Sequence, residues 1–225
     1  MTGKIKKRVI VFASGTATGG GSGFENLVAA MRAGRLNANI VAVVSSHAGG
    51  GVHARAIKLG VPFVFMREAK QAGAQDYQRI AKDTRADFVF LSGWLHRTQG
   101  LDPRTTINIH PAPLPDFGGK GMYGHHAHAA VLAAYHAGKV KMSAVSMHFV
   151  TDEYDRGPVF FQCPVAILSG DTPETLAKRV NDAEHQWQPY VSDLVVQGKI
   201  LWDGKHPHTL RVPADYRFHT PFDQQ

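Results

Sequence analysis

Asn108 and His110 stand two residues apart in Asn108-Ile109-His110-Pro111, at the end of a short β-branched run, Thr106 to Ile109, that reads as a strand. Alternate strand residues share a face, so the amide and the imidazole project together. An amide donor beside an imidazole can hold a developing oxyanion, and a carboxylate within reach would raise the histidine's pKa. Asp155 is the candidate carboxylate. It lies in the acidic segment Thr151-Asp152-Glu153-Tyr154-Asp155-Arg156-Gly157-Pro158, which joins two further strands. On residue types alone, the same groups also fit satisfied polar members of a core.

A second feature is the loop Ser14-Gly15-Thr16-Ala17-Thr18-Gly19-Gly20-Gly21-Ser22-Gly23, between the first strand and the first helix. Backbone N–H groups of such a loop, backed by a helix amino terminus, can cradle a phosphate. Glycine this dense is entropically costly unless backbone must approach something closely. No Gly-Lys-Ser/Thr closes the loop, so it is not a Walker A. Gly119-Lys120-Gly121-Met122-Tyr123-Gly124 matches G-x-G-x-x-G but follows the proline-rich turn Pro111 to Pro115 instead of a strand. A dinucleotide site would also want an acid about 20 residues on, and none occurs between Asp116 and Asp152. The segment therefore reads as a mobile loop over a ligand. His125, His126 and His128 have no carboxylate or cysteine nearby in sequence to complete a shell, so no metal is expected.

The elements that must position these groups follow from periodicity. Arg8 to Ala13, Ile40 to Val44, Val61 to Met66 and Asp87 to Leu91 are short apolar strands. They alternate with helical stripes at Phe24, Leu27, Val28 and Met31, at Val52 to Leu59, and at Tyr77, Ile80, Ala81 and Thr84. Such alternation implies an α/β fold with a doubly wound, mostly parallel sheet. A helix through His128, Val131, Leu132 and Tyr135 precedes two strands, Ser143 to Val150 and Val159 to Ile167. Thr172-Pro173-Glu174 starts a last helix, whose stripe of Leu176, Val180, Trp187, Val191 and Leu194 runs to Gly198. Residues 1–200 read as a single domain and residues 201–225 as a carboxy-terminal tail.

Composition excludes other classes. The chain of 225 residues is 44% apolar and 19% charged, as expected of a soluble globular protein. No apolar run approaches the ~18 residues of a spanning helix, and Val9 to Ala13 is shorter than the about 7–15 residues of a signal h-region. One cysteine, Cys163, allows no internal disulfide and agrees with a cytoplasmic location. The formal charge of +7 draws anionic ligands, whether nucleic acid or small phosphorylated and carboxylated metabolites.

The segment Asn108-Ile109-His110-Pro111 with Leu114-Pro115, and the segment His148-Phe149-Val150-Thr151-Asp152-Glu153-Tyr154-Asp155-Arg156-Gly157-Pro158, resemble the folate-dependent formyltransferases. The glycine loop, Ser92-Gly93-Trp94-Leu95 and Glu184-His185 with Pro189 fall in matching order, so the resemblance covers about residues 8–200. It implies a Rossmann-like fold and transfer of a formyl group from 10-formyltetrahydrofolate to an amine. The implied acceptor is glycinamide ribonucleotide, of de novo purine biosynthesis. The resemblance makes Asn108, His110 and Asp155 the catalytic set. It puts the substrate phosphate on Gly21, Ser22 and Gly23, and the ribose or amine near Asn181 and Glu184. It sets the pterin between Leu95, His96, Arg97 and Thr98 on one side and Thr151, Asp152, Glu153, Tyr154 and Asp155 on the other. Partners are then small molecules, with no metal, nucleic acid or membrane, and the protein is expected as a monomer or homodimer.

The chain also departs from the family pattern. Its glycine loop is several residues longer, and Gly23 stands where an Asn tends to follow the Gly-Ser pair. The Phe117 to His128 segment is longer too, and an Arg usually found before the helix containing Tyr77 has no clear counterpart. A sugar-nucleotide N-formyltransferase is the alternative within the family, since it too holds a phosphate. A methionyl-tRNA formyltransferase is expected to carry a further carboxy-terminal domain, and a formyltetrahydrofolate hydrolase a regulatory amino-terminal one. A non-catalytic nucleotide- or nucleic-acid-binding module is the alternative of another class, but it would have no need of Asn108, His110 and Asp155 together.

Overall fold

The structure, a computed structural model, describes residues 5–218. Strand β1 (Lys7–Phe12) occupies the middle of a seven-stranded sheet, and its alternation explains why. Val9 and Val11 point into one hydrophobic layer and Ile10 and Phe12 into another, so both faces are buried. A strand buried on both faces belongs at the centre of a sheet covered on each side. The larger layer receives α1 (Ser22–Arg32), α2 (Gly51–Leu59), α4 (Gly124–His136) and α5 (Pro173–Val196). On the opposite face, α3 (Ala74–Asp83) brings Tyr77 against Phe12 and Trp94.

The remaining strands are β2 (Ala38–Ser45), β3 (Phe63–Phe65), β4 (Phe88–Ser92), β5 (Thr106–His110), β6 (Met142–Phe149) and β7 (Val159–Ala166). The sheet order is β3-β2-β1-β4-β5-β6-β7. Strands β1 to β5 pair in parallel, and β6 and β7 join antiparallel. This is the doubly wound, mostly parallel arrangement that the alternation predicts. The third strand is shorter than the pattern suggests. Pro62 has no N–H to give a ladder, and only its carbonyl is used, by the Val43 N–H at 2.9 Å.

Two local features bear on the site. Pro189 lies inside α5 and cannot donate to the carbonyl of His185 one turn back. Asn26 of α1 supplies the missing donor, its Nδ2 lying 2.7 Å from that carbonyl. The two helices are thereby tied where both face the cleft. The segment after Gly198, without a periodic pattern in the sequence, folds back through a bridge between Leu201 and Arg211. Trp202, Leu210, Val212, Tyr216 and Phe218 pack on the larger core, and the Phe218 carbonyl accepts the Gln162 N–H on the outer edge of β7. Residues 219–225 of the expected tail lie outside the described residues. No helix among the described residues is long and apolar enough to cross a membrane.

Candidate active site

The strand order reverses direction between β1 and β4, so the loops leaving their carboxyl ends diverge and open a crevice. Ser14 ties the two sides together. The Ser14 N–H donates to the Gly93 carbonyl at 2.9 Å, and Ser14 Oγ accepts the Leu95 N–H at 2.9 Å. A cleft of about 820 Å³ lies above them.

Strand β5 delivers Asn108 and His110 to this cleft, and antiparallel pairing sets His148 of β6 directly opposite Asn108. The segment from Thr151 to Pro158 then folds Asp155 back over them. Asp155 has φ of 52°, the left-handed region that a non-glycine residue adopts at a cost. Two residues on, Gly157 passes so close to the Phe149 carbonyl that no Cβ would fit. This tight return places one Asp155 oxygen 3.3 Å from His148 Nε2 and the other 3.8 Å from His110 Nδ1. The Gly119 N–H donates to the latter oxygen at 2.9 Å. Asn108 Nδ2 reaches both His148 Nε2, at 3.0 Å, and Asp155, at 3.4 Å.

The backbone settles the tautomers. His110 Nε2 lies 2.7 Å from the Phe117 carbonyl and His148 Nδ1 lies 2.8 Å from the Phe149 carbonyl. A carbonyl can only accept, so these two nitrogens carry hydrogens. The nitrogens left over, His110 Nδ1 and His148 Nε2, are the ones that face the carboxylate. His110 is 3% exposed, and burial pushes its pKa down, outweighing the Asp155 carboxylate and Phe117 carbonyl that push it up. For Asp155, burial raises the pKa, but the facing imidazoles of His148 and His110 and the Gly119 N–H together hold it below the ordinary value.

One end of the cleft is rimmed by the glycine loop. Gly19 N donates to Thr16 Oγ1 at 2.8 Å and Thr16 N to the Gly19 carbonyl at 2.9 Å, so the extra residues close on themselves as a tight turn. Gly21 caps α1 with φ of 82°, and a Cβ there would lie 3.0 Å from Val52 Cγ2. Gly23 is glycine for a different reason: a Cβ would collide with Ser92 Oγ, which lies 3.4 Å from Gln188 Oε1. Gly21, Ser22 and Gly23 all line the cleft, facing Asn181 and Glu184 of α5. Asn181 Nδ2 donates to Glu184 Oε2 at 3.1 Å. Desolvation where Glu184 stands half-buried in the α5 wall of the cleft pushes it up to about 7, against the lowering effect of Asn181.

On the far side of Asn108 and Asp155 lies a narrow recess of about 50 Å³. Leu95, His96, Arg97, Tyr154 and Asp155 line the main cleft, whereas Thr98, Thr151 and Glu153 line this recess. Asp152 faces neither and borders an outer hollow instead. The wall is braced from below: Trp94 Nε1 donates to Tyr77 Oη at 3.2 Å, and Tyr77 donates to the Arg97 carbonyl at 2.8 Å. Arg97 Nε in turn donates to the Asp152 carbonyl at 2.9 Å, linking this wall to the Asp155 segment. Of the three helical histidines, His125 reaches Glu174 on the surface at 3.1 Å, while His128 is buried in the cleft wall.

The residues singled out from the sequence therefore gather around one crevice, with Asp152 at its outer border. His148, Ser92 and Gln188 were not among them. His148 was legible in principle, because an antiparallel partner for β5 puts a histidine against Asn108. Gln188 carried no such signal, since it depends on the turn of α5 beside Pro189.

The chain matches the formyl transferase family over residues 7–192. Phosphoribosylglycinamide formyltransferase, chloroplastic, of Arabidopsis thaliana is 34% identical over 209 residues, covering 88% of this chain and 68% of that protein. Phosphoribosylglycinamide formyltransferase of Bacillus subtilis is 30% identical over 194 residues, covering 82% of this chain and 92% of that enzyme. The crystal structure of glycinamide ribonucleotide transformylase 1 from Symbiobacterium toebii superposes with a TM-score of 0.76 at 27% identity, over 92% of this chain and 94% of that one. With 186 of its residues inside the family match and its carboxylate, amide and imidazole groups collected at the mouth of the sheet, the chain belongs to the formyl transferase family.

Proposed function

We propose that this chain transfers the formyl group of 10-formyltetrahydrofolate to the amine of glycinamide ribonucleotide. One observation carries the reading. Asn108, His110 and Asp155 line a single cleft that also carries the glycine loop with Asn181 and Glu184, and Leu95, His96, Arg97 and Tyr154. A transfer enzyme needs that geometry, because acceptor and donor must meet at one polar centre. The glycine loop and the α1 amino terminus would hold the acceptor phosphate through backbone donors. Asn181 and Glu184 would orient its ribose or amine. Leu95 to Thr98 and Thr151 to Asp155 would flank the pterin.

In this reading the acceptor amine attacks the formyl carbon and forms a tetrahedral oxyanion. Asn108 Nδ2 turns its longer, 3.4 Å contact from Asp155 toward that oxyanion. His110 enters the step already protonated from solvent at Nδ1, where Asp155 faces it, and keeps that proton throughout, so that the imidazolium adds positive charge beside the oxyanion. Collapse breaks the bond to the folate nitrogen. The proton lost by the amine passes through Asp155 and water to that nitrogen, so charge and protons balance.

Incubation with 10-formyltetrahydrofolate and either glycinamide ribonucleotide or a UDP-amino sugar tests the reading. Formylated glycinamide ribonucleotide is expected. Formylation of the sugar nucleotide alone would overturn the assignment of the acceptor.

A further inference from the structure

Ser92 and Gln188 are buried polar residues of the cleft wall to which the formyl transfer reading gives no task. Ser92 ends β4. Gln188 follows Asn181 and Glu184 along α5 at spacings of three and four residues, so the three polar side chains share one helix face. All three line the cleft together with Gly21, Ser22 and Gly23. Gln188 is 2% exposed, and among the described residues its side chain meets one partner, Ser92 Oγ, which donates to Oε1 at 3.4 Å. Its Nε2 donates to no group among the described residues, yet it is not one of the polar atoms sealed from solvent, so it opens on the cleft. A buried amide held by one long hydrogen bond costs stability unless a ligand completes its bonding.

Gly23 shows what that amide stands beside. It belongs to the first turn of α1 and lies outside the left-handed region, so space and not backbone geometry keeps it glycine. A Cβ there would collide with Ser92 Oγ and come to 3.3 Å from Gln188 Oε1. Position 23 is therefore barred from carrying an amide of its own, and α5 brings one to the same place. The first N–H groups of a helix have no acceptor inside it and favour an anion, so Gln188 Nε2 adds a side-chain donor to that backbone set. We propose that Gln188 donates a hydrogen bond to the acceptor phosphate, that Ser92 positions it, and that the pair sets the preference for a phosphorylated acceptor. The proposal rests on the formyl transfer reading. Glu184, one turn earlier on the same helix face, is left to the ribose or amine, which separates the anchored end of the acceptor from its reacting end.

The test measures Michaelis constants for glycinamide ribonucleotide and 10-formyltetrahydrofolate in the wild type, Gln188→Leu, Gln188→Glu and Ser92→Ala. Gln188→Leu keeps the bulk and removes the donor, so the acceptor KM should rise roughly tenfold or more, the size of one hydrogen bond to a charged group. The folate KM should stay within about twofold, which a misfolded cleft would not allow. Ser92→Ala should act in the same direction but only a few-fold, because it leaves the amide in place and unheld. Gln188→Glu sets a carboxylate against the phosphate, so it should raise the acceptor KM beyond the Leu variant, and added salt should relieve that excess. An acceptor KM unmoved in Gln188→Leu, a rise matched by the folate KM, or equal effects of Leu and Glu would overturn the proposal and leave Gln188 as a space-filling residue. Titration with inorganic phosphate, followed by calorimetry, needs no turnover and separates the two readings. Phosphate binding that Gln188→Leu weakens, without formylation of glycinamide ribonucleotide, would sink the assignment of the acceptor and keep the phosphate contact. Formylation with acceptor KM and phosphate affinity both unmoved in Gln188→Leu does the reverse.

Discussion

Asp155 touches an imidazole on either side, and its two roles can be separated by substitution. Asn tolerates the left-handed backbone at φ of 52° as Asp does, so Asp155→Asn should fold normally. Loss of an oxyanion-site group typically costs on the order of 10²–10³ in turnover, and a fall of that size is expected here. Asp155 is one of the influences that raise the His110 pKa, so its neutralisation should shift the alkaline limb of kcat/KM to lower pH. An unmoved limb would show that the titrating group is not His110. If the pair acts as a unit, adding His110→Ala to Asp155→Asn should make activity little worse than the worse single change. Glu184 offers a second titration, because its pKa lies at about 7. Ionised Glu184 attracts an ammonium or a ribose hydroxyl, so the acceptor KM should fall as pH rises through that value. Glu184→Gln should abolish the dependence, as steady-state profiles from pH 6 to 8.5 can decide.

At the scale of elements, the grip on the acceptor depends on how α1 meets α5. The Pro189 gap, the His185 carbonyl it releases and the Asn26 amide that donates to that carbonyl form a single device. Pro189→Ala restores a helix N–H to compete for that carbonyl, and Asn26→Leu removes the other partner. Both should raise the acceptor KM more than the folate KM, since α1 carries the glycine loop and α5 carries Glu184. Gly21→Ala should behave likewise, through backbone strain of about 1–2 kcal/mol at its positive φ and its contact with Val52. Equal effects on both substrates would mean that the loop serves the fold and not the acceptor. The order of strands and helices was readable because β1 to β4 are buried runs separated by helical stripes. The Asn26 to His185 tie was not, because it joins groups 159 residues apart. Nor was the role of Gly23, which is set by Ser92 of a neighbouring strand and not by its own loop. Resemblance carried the residue roles where spacing could not bring Asp155 to His110.

Across the whole molecule, the histidines that build the cleft make the fold sensitive to acid, and Glu184 opposes them. His128 is 4% exposed, its Nδ1 has no hydrogen-bond partner, and burial lowers its pKa from 6.5 to about 4. Burial also pushes His96, His110 and His185 down. For each, the unfolded chain binds more protons than the native one, so the contribution is full above pH 6.5 and is lost as pH falls through the folded pKa. For His128 that loss is on the order of 3 kcal/mol. Glu184 has the opposite sign. Its pKa is raised from 4.5 to about 7, so its contribution is full below pH 4.5 and is lost as pH rises through 7. Between about pH 4.5 and 6.5 the two effects run against each other, and the four histidines outnumber the one carboxyl. The wild type should therefore lose stability on acidification across this window, but gently. Glu184→Gln removes the opposing group and should steepen the loss, whereas His128→Gln should flatten it. Urea unfolding at pH 7.5, 6.0 and 4.5 reads all three slopes. A Glu184→Gln slope no steeper than that of the wild type would show that this carboxyl is solvated and ordinary, and with it the acceptor titration expected near pH 7 would have to be given up.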